Sequence, residues 1–110
     1  MATTQAYKVL GQSKPGATSL TDVYTVPALT SAIVSTVVVC NQGAATTFRL
    51  SVAVAGAGNT GKQYLCYDVA INANETLTFT LGITLAAADV VRVYAGAATL
   101  SFNVFGTELT

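Results

Sequence analysis

Few residues in this chain are suited to chemistry, and their types restrict the chemistry to a short list. The 110 residues include no His and no Trp, and charged residues make up 9%, against about 25% in an average globular domain. Active sites usually gather His, Asp, Glu, Lys, Arg or Cys in one cleft. We therefore expect a structural or binding protein with no enzymatic activity, no catalytic residues, no metal site and no cofactor.

A glycine-rich segment comes nearest to a cofactor motif. Gly56, Gly58 and Gly61 have the spacing G-x-G-x-x-G of a dinucleotide-binding loop. That motif needs a following helix whose N-terminus holds the pyrophosphate, whereas residues 62–67 have the composition of a strand. We interpret residues 55–61 as a mobile hairpin tip exposed to solvent.

Nucleophiles and acids are present without the partners that catalysis requires. Ser and Thr are frequent, but there is no His to act as a base and no G-x-S-x-G elbow. The carboxylates could pair as in a glycosidase, but without Trp we expect solvated or turn positions for Asp22, Asp68, Glu75, Asp89 and Glu108. The five Tyr could form a platform on which a sugar stacks. Tyr is also common in strands, so the sequence does not decide between the two explanations.

Cys40 and Cys66 could form a disulfide or contribute to a metal site. Two thiols without His fall short of the usual four-ligand set. The start of the chain, Met1-Ala2-Thr3, lacks the basic and apolar regions of a secretion signal. We expect folding in a cytoplasm, where disulfides are rare, and two free, buried thiols.

The charge distribution excludes some partners and favours others. Five basic and five acidic residues give a net charge of zero, and the scattered basic residues form no stripe of the kind that nucleic acid requires. No segment approaches the roughly 20 apolar residues of a membrane-spanning helix. Zero net charge removes the repulsion that keeps small proteins apart, so the sequence predicts association with other protein and binding to neither nucleic acid nor membrane.

Short segments rich in Val, Thr, Tyr and Phe alternate with Gly, Asn, Asp and Pro, which is typical of an all-β protein. Strands are predicted at residues 6–12, 21–26, 31–41, 46–54, 62–71, 75–83, 90–95 and 99–105. We predict one domain, residues 1–110, folded as a two-sheet antiparallel β-sandwich of seven or eight strands, either immunoglobulin-like or jelly-roll. Turn residues at 41–43, 72–74 and 95–97 predict antiparallel pairing of consecutive strands.

Alternation of apolar and polar residues predicts which side chains face the core. The inward sets are Leu77, Phe79 and Leu81 in one strand and Leu100, Phe102 and Val104 in the last, where Phe105 falls on the opposite face.

Two segments, residues 33–40 and 64–71, are apolar on both faces and need cover on both sides. In the first segment, one predicted face carries Ile33, Val37 and Val39, and the other carries Val34, Val38 and Cys40. In the second segment, one face carries Leu65, Tyr67 and Val69, and the other carries Tyr64 and Cys66. This pattern predicts a homo-oligomer.

Several stretches look like small virion structural proteins of tailed bacteriophages. They are LGQ at residues 10–12, TDVYTVPA at 21–28, VSTVVVCN at 34–41, LAAADVVRVYA at 85–95 and LSFNVFG at 100–106. The resemblance implies a non-catalytic role in the virion, after assembly in a bacterial cytoplasm. The expected function is capsid decoration (cement), with the major capsid protein or other virion proteins as partners. Among homo-oligomers a trimer is favoured, because it would suit the local three-fold positions of a capsid. The alternative function is that of a tail or baseplate module that binds host-surface carbohydrate.

Overall fold

Nine β-strands form the fold in the computed structural model, which describes residues 4–110. They are β1 (Gln5–Ser13), β2 (Thr21–Thr25), β3 (Ser31–Asn41), β4 (Thr46–Ala53), β5 (Tyr64–Ile71), β6 (Thr76–Phe79), β7 (Ile83–Leu85), β8 (Val90–Ala95) and β9 (Leu100–Leu109). One short 3-10 turn, Val54–Gly56, follows β4. The strand positions agree closely with the segments that the sequence predicts.

The strands form two antiparallel sheets that pack face to face. Sheet 1 has the order β1-β9-β3-β6, with β7 also pairing with β3, and sheet 2 has the order β2-β8-β4-β5. The pairs β1–β9, β2–β8, β3–β6/β7 and β4–β5 follow one another as in a long hairpin rolled into two layers, which is the jelly-roll arrangement. The predicted two-sheet antiparallel sandwich is confirmed, and the strand order selects the jelly-roll topology over the immunoglobulin-like one.

Most connections cross from one sheet to the other, so the predicted pairing of consecutive strands is wrong for most of them. The turns at residues 41–43, 72–74 and 95–97 lead from β3 to β4, from β5 to β6 and from β8 to β9, and each pair of strands lies in different sheets. Among the described strands, β4 and β5 are the consecutive pair that forms a hairpin. Turn residues mark where the chain reverses, but they do not specify whether the next strand lies beside or across from the last.

The sixth predicted strand divides into β6 and β7. Leu77 and Phe79 in β6 point inward and are half-buried, as expected. Leu81 lies beyond the end of β6 and is 50% exposed, so its predicted core position is wrong. Gly82 has a left-handed φ of 64°, a conformation that glycine adopts at little cost, and it breaks the strand between the two halves.

The core lies between the sheets around the ring of Phe48. Its centroid is 5.9 Å from that of Phe79 and 6.2 Å from that of Phe102, both edge to face. In β9, Leu100, Phe102 and Val104 are fully buried, as the alternation predicts.

A β-bulge in β3 reverses which side chains face the core. The pairing with β9 shifts between Val34 and Thr36, and an extra residue in one strand moves the following side chains to the other face. Val34 and Val37 are therefore both buried, whereas Ile33 is 41% exposed. The predicted grouping of Ile33 with Val37 is wrong because strict alternation does not hold across a bulge.

Candidate functional site

The five strands of sheet 1 carry no charged side chain on their outer face. Lys14, which directly follows β1, lies at one end of this face, where its Nζ donates to Gln42 Oε1 at 3.3 Å. Lys8 and Glu108 are the charged residues in the five strands, and both point to the opposite side. Lys8 Nζ lies 2.7 Å from Glu108 Oε1, and Tyr24 of sheet 2 donates a hydrogen bond of 2.6 Å from its Oη to Glu108 Oε2. We call the outward side chains of β1, β9, β3, β6 and β7 the uncharged face.

The uncharged face mixes apolar side chains with hydroxyl and amide groups in cross-strand rows. The register gives the rows Tyr7-Thr107-Ile33-Thr84, Val9-Phe105-Thr36, Gln12-Asn103-Val38-Thr78 and Ser101-Cys40-Thr76. Tyr7 is 80% exposed and Val9 is 48% exposed. Depletion of charge with exposed aromatic and aliphatic side chains is typical of surfaces that contact other proteins.

The pair Lys8–Glu108 keeps its charges between the edges of the two sheets. The hydrogen bond from Lys8, followed by that from Tyr24, lowers the pKa of Glu108 below its ordinary value. Burial, and then the hydrogen bond to Glu108, raises the pKa of Tyr24 above its ordinary value. The carboxylate therefore stays ionised and the phenol stays neutral at pH 7, and together they join β1, β9 and β2.

Sheet 2 presents a contrasting outer face on which three of the five Tyr meet an arginine. The guanidinium carbon of Arg49 lies 4.1 Å from the ring centroid of Tyr67 and 4.5 Å from that of Tyr94, and Tyr64 lies 5.0 Å from Tyr67 between centroids. Arg49 Nε also donates to Asp68 Oδ1 at 2.7 Å, and this bond raises the pKa of Arg49. We call these five residues the tyrosine cluster.

The tyrosine cluster is held rigid by its own contacts. The guanidinium is stacked between two rings, each a cation–π contact, and Asp68 binds its edge. Asp68 has a left-handed φ of 50°, and the pairing of β4 with β5 shifts between Phe48 and Leu50. This bulge turns Tyr67 outward, where it is 59% exposed. The sequence left a tyrosine platform open, but the bulge that assembles the cluster has no signal in the residue pattern.

The glycine-rich segment joins β4 to β5 as a hairpin connection, and a strand follows it where a dinucleotide site would need a helix. Most of its residues are exposed to solvent, as predicted, but hydrogen bonds from sheet 2 hold the segment, which does not fit a mobile tip. Arg92 Nη1 donates to the carbonyl of Ala57 at 2.6 Å, and its Nη2 donates to that of Gly56 at 3.0 Å. Asn59 Nδ2 donates to Ser51 Oγ at 3.0 Å. These contacts turn backbone carbonyls inward and fasten the loop.

The five carboxylates do not converge on one cleft. Each accepts hydrogen bonds from a different part of the structure: Asp22 from Arg92, Asp68 from Arg49, Glu108 from Lys8 and Tyr24, Glu75 from the backbone of Asn72, and Asp89 from the backbone of Ala55 and Ala86. Asp22, Asp68, Glu75 and Asp89 thus lie at exposed positions or in turns, as predicted. The prediction is wrong for Glu108, which lies in β9, is 9% exposed and forms an ion pair.

The two cysteines are free and lie on different strands. Cys66 is buried in the core, and burial raises the pKa of its thiol. Cys40 is half-buried, and it points outward from β3 on the uncharged face. Within residues 4–110, no group of three or more His, Cys, Asp or Glu is placed to hold a metal ion.

A scan against protein-family models found no match, and a search of curated proteins found none either. Among the described residues, no helix has the length and apolar character to cross a membrane.

Proposed function

We propose that this chain is a bacteriophage virion structural protein, a capsid decoration (cement) protein that binds the outside of the head lattice. The observation that carries the proposal is the uncharged face of sheet 1, on which the strands present no charged side chain because Lys8 pairs with Glu108 on the inner side. The sequence resemblance supplies the phage context. Jelly-roll folds serve as capsid proteins and as lectins alike, so the fold is compatible with the proposal without selecting it.

The proposed mechanism is stabilisation by binding, with no chemical step. A subunit that contacts neighbouring capsomers binds the assembled shell and not its separated parts, so it shifts the equilibrium toward the shell by mass action. The face suits this role because its Thr, Ser and Asn groups can pair with a partner's polar atoms while Val38 and Phe105 add apolar contact.

A single charge on the uncharged face tests the proposal. Val38 lies in the row with Asn103 and Thr78, two strands from the β1 edge, and a buried unpaired charge there strongly opposes binding. Phage head particles that lack the chain are incubated with the purified protein, and the resistance of the particles to heat is measured. Wild-type protein is expected to bind and raise it, whereas Val38→Lys is expected to do neither.

Ala70→Lys is the matched control, because Ala70 is exposed on the outer side of sheet 2. It is expected to bind as the wild type does. Equal binding by both variants would show that the uncharged face is not the contact surface. Failure of the wild-type protein to bind any head particle would overturn the proposal.

The tyrosine cluster favours one second candidate, a tail or baseplate module that binds host-surface carbohydrate. Exposed Tyr67 offers a ring face to a sugar, and fixed aromatic side chains lose little entropy on binding. Binding of the protein to a glycan array tests this function. Tyr67→Ala is expected to abolish the signal and Tyr7→Ala, on the other sheet, to retain it, whereas a signal unaffected by Tyr67→Ala would exclude the cluster as the site.

A further inference from the structure

Within residues 4–110, the first half of β1 is a sheet edge whose outward backbone hydrogen-bonding groups have no partner. Thr4 and Thr110 exchange two backbone hydrogen bonds of 3.0 Å, and the register with β9 continues from there without a shift over the next five residues. Hydrogen-bonded and non-hydrogen-bonded pairs alternate along antiparallel strands. The N–H and C=O groups of Gln5, Tyr7 and Val9 therefore point away from β9, toward the open edge.

The other sheet edges carry features that oppose the addition of a strand. At the far edge of sheet 1, β6 and β7 are four and three residues long, and β2 in sheet 2 has five residues and a register shift. The pairing of β5 with β4 shifts twice, and Asp68 in β5 is left-handed. Short strands, bulges and free charges are the usual protection of an edge.

The first half of β1 has none of these protections. Its five residues are regular and all exposed, and the bulge in this strand comes later, between Val9 and Gly11. The charge of Lys8, which could protect the edge, is held by Glu108 on the inner side.

We propose that residues 5–9 of two copies of this chain pair as antiparallel strands about a two-fold axis at Tyr7. Tyr7 then lies opposite Tyr7 of the second copy, and Gln5 lies opposite Val9. The free groups of these residues close about six backbone hydrogen bonds, and the two copies of sheet 1 become one continuous sheet. This is strand addition in a closed, isologous form.

Charge and side-chain placement favour a second copy as the occupant of this edge. In the two-fold register, Lys8 lies opposite Ala6 of the second copy, so like charges are not placed directly across from each other. The outward side chains of Gln5, Tyr7 and Val9 are uncharged and extend the uncharged face across the junction. The pairing is independent of the proposed function, because it uses backbone groups at the edge and not the side chains of the face.

Sedimentation of the purified protein at micromolar concentration tests the pairing. Wild-type protein is expected to reach twice the 11.2 kDa mass of one chain. Tyr7→Pro removes an N–H from the open edge. It leaves the bonds to β9 in place, because the backbone groups of Tyr7 are not hydrogen-bonded to β9. This variant is expected to be a monomer. Tyr7→Thr keeps the N–H and is expected to remain a dimer, and so is Val38→Lys, whose charge lies away from the edge.

Amide hydrogen exchange of the wild-type protein provides a second readout that does not depend on a variant folding. The amides of Gln5, Tyr7 and Val9 are expected to exchange at least tenfold more slowly in the dimer than in dilute monomer, whereas those of β2 are expected not to change. A monomer at all concentrations, a trimer, or a dimer that Tyr7→Thr dissociates would each overturn the pairing. Protection of these amides only when another virion protein is added would also overturn it, in favour of a different strand.

Discussion

Glu108 couples the stability of the fold to pH. Its carboxylate accepts from Lys8 and from Tyr24, and its pKa is lowered in the folded chain. The pKa of a Glu carboxyl group in the unfolded chain is about 4.3. Above that pH the ionised form of Glu108 therefore stabilises the fold. This contribution is lost as the pH falls below about 4 and passes through the lowered pKa that Glu108 has in the folded chain.

We therefore predict that Glu108→Gln lowers the free energy of unfolding at pH 7 by about 1–3 kcal/mol, the cost of weakening a buried charge-assisted pair. The variant is also expected to lose less stability than the wild type between pH 5 and pH 3. Urea unfolding at several pH values measures both effects, with Glu75→Gln in an exposed turn as the control. Parallel pH profiles for Glu108→Gln and wild type would contradict this account of the ion pair.

The cysteines differ in accessibility, and this difference makes Cys40 a reporter of the uncharged face. Cys66 is buried and the pKa of its thiol is raised, whereas Cys40 lies half-buried on the outer side of β3. A thiolate-directed reagent is expected to modify Cys40 at least tenfold faster than Cys66 in the native protein, and to find two thiols per chain after denaturation. Faster modification of Cys66 would show that the core at β5 is open.

At the scale of strands, Gly106 sets how closely β9 approaches β3. A Cβ at this position would collide with the carbonyl oxygen of Ile33 and come within 3.0 Å of Leu10 Cδ1. We predict that Gly106→Ala lowers the free energy of unfolding by about 2 kcal/mol or more. Gly16→Ala is the control, because nothing lies within 4 Å of its Cβ, and it is expected to change stability by less than about 1 kcal/mol. Equal thermal stability of both variants would exclude the close approach.

The sequence predicted the strands well because their evidence is local. Alternation in β9 placed Phe102 and Val104 in the core and Phe105 outside it, and the structure agrees. Pairing and register were harder to predict, because they depend on contacts between distant residues. The bulges at Val34 in β3 and at Asp68 in β5 change which side chains face outward, and neither bulged strand contains a glycine or proline.

At the scale of the whole molecule, the two outer faces divide the charge unequally. Sheet 2 carries the pairs Arg49–Asp68 and Arg92–Asp22 on its outside, whereas the strands of sheet 1 carry no charged side chain there and Lys14 lies at one end of that face. The composition predicted a surface poor in charge, and from that it predicted association. It could not show that the outer face of one sheet would hold two ion pairs and that of the other sheet would hold no ion pair. That division follows from the jelly-roll pairing of strands far apart in the chain.

A search for the chain in a phage particle is the measurement that tests the proposed function most directly. In a three-dimensional reconstruction of the phage whose genome encodes the chain, we predict density for the chain on the outside of the head. The uncharged face of sheet 1 is expected against neighbouring subunits and the tyrosine cluster of sheet 2 toward solvent. Density in the tail, absence from the particle, or an uncharged face left open to solvent would contradict the central claim.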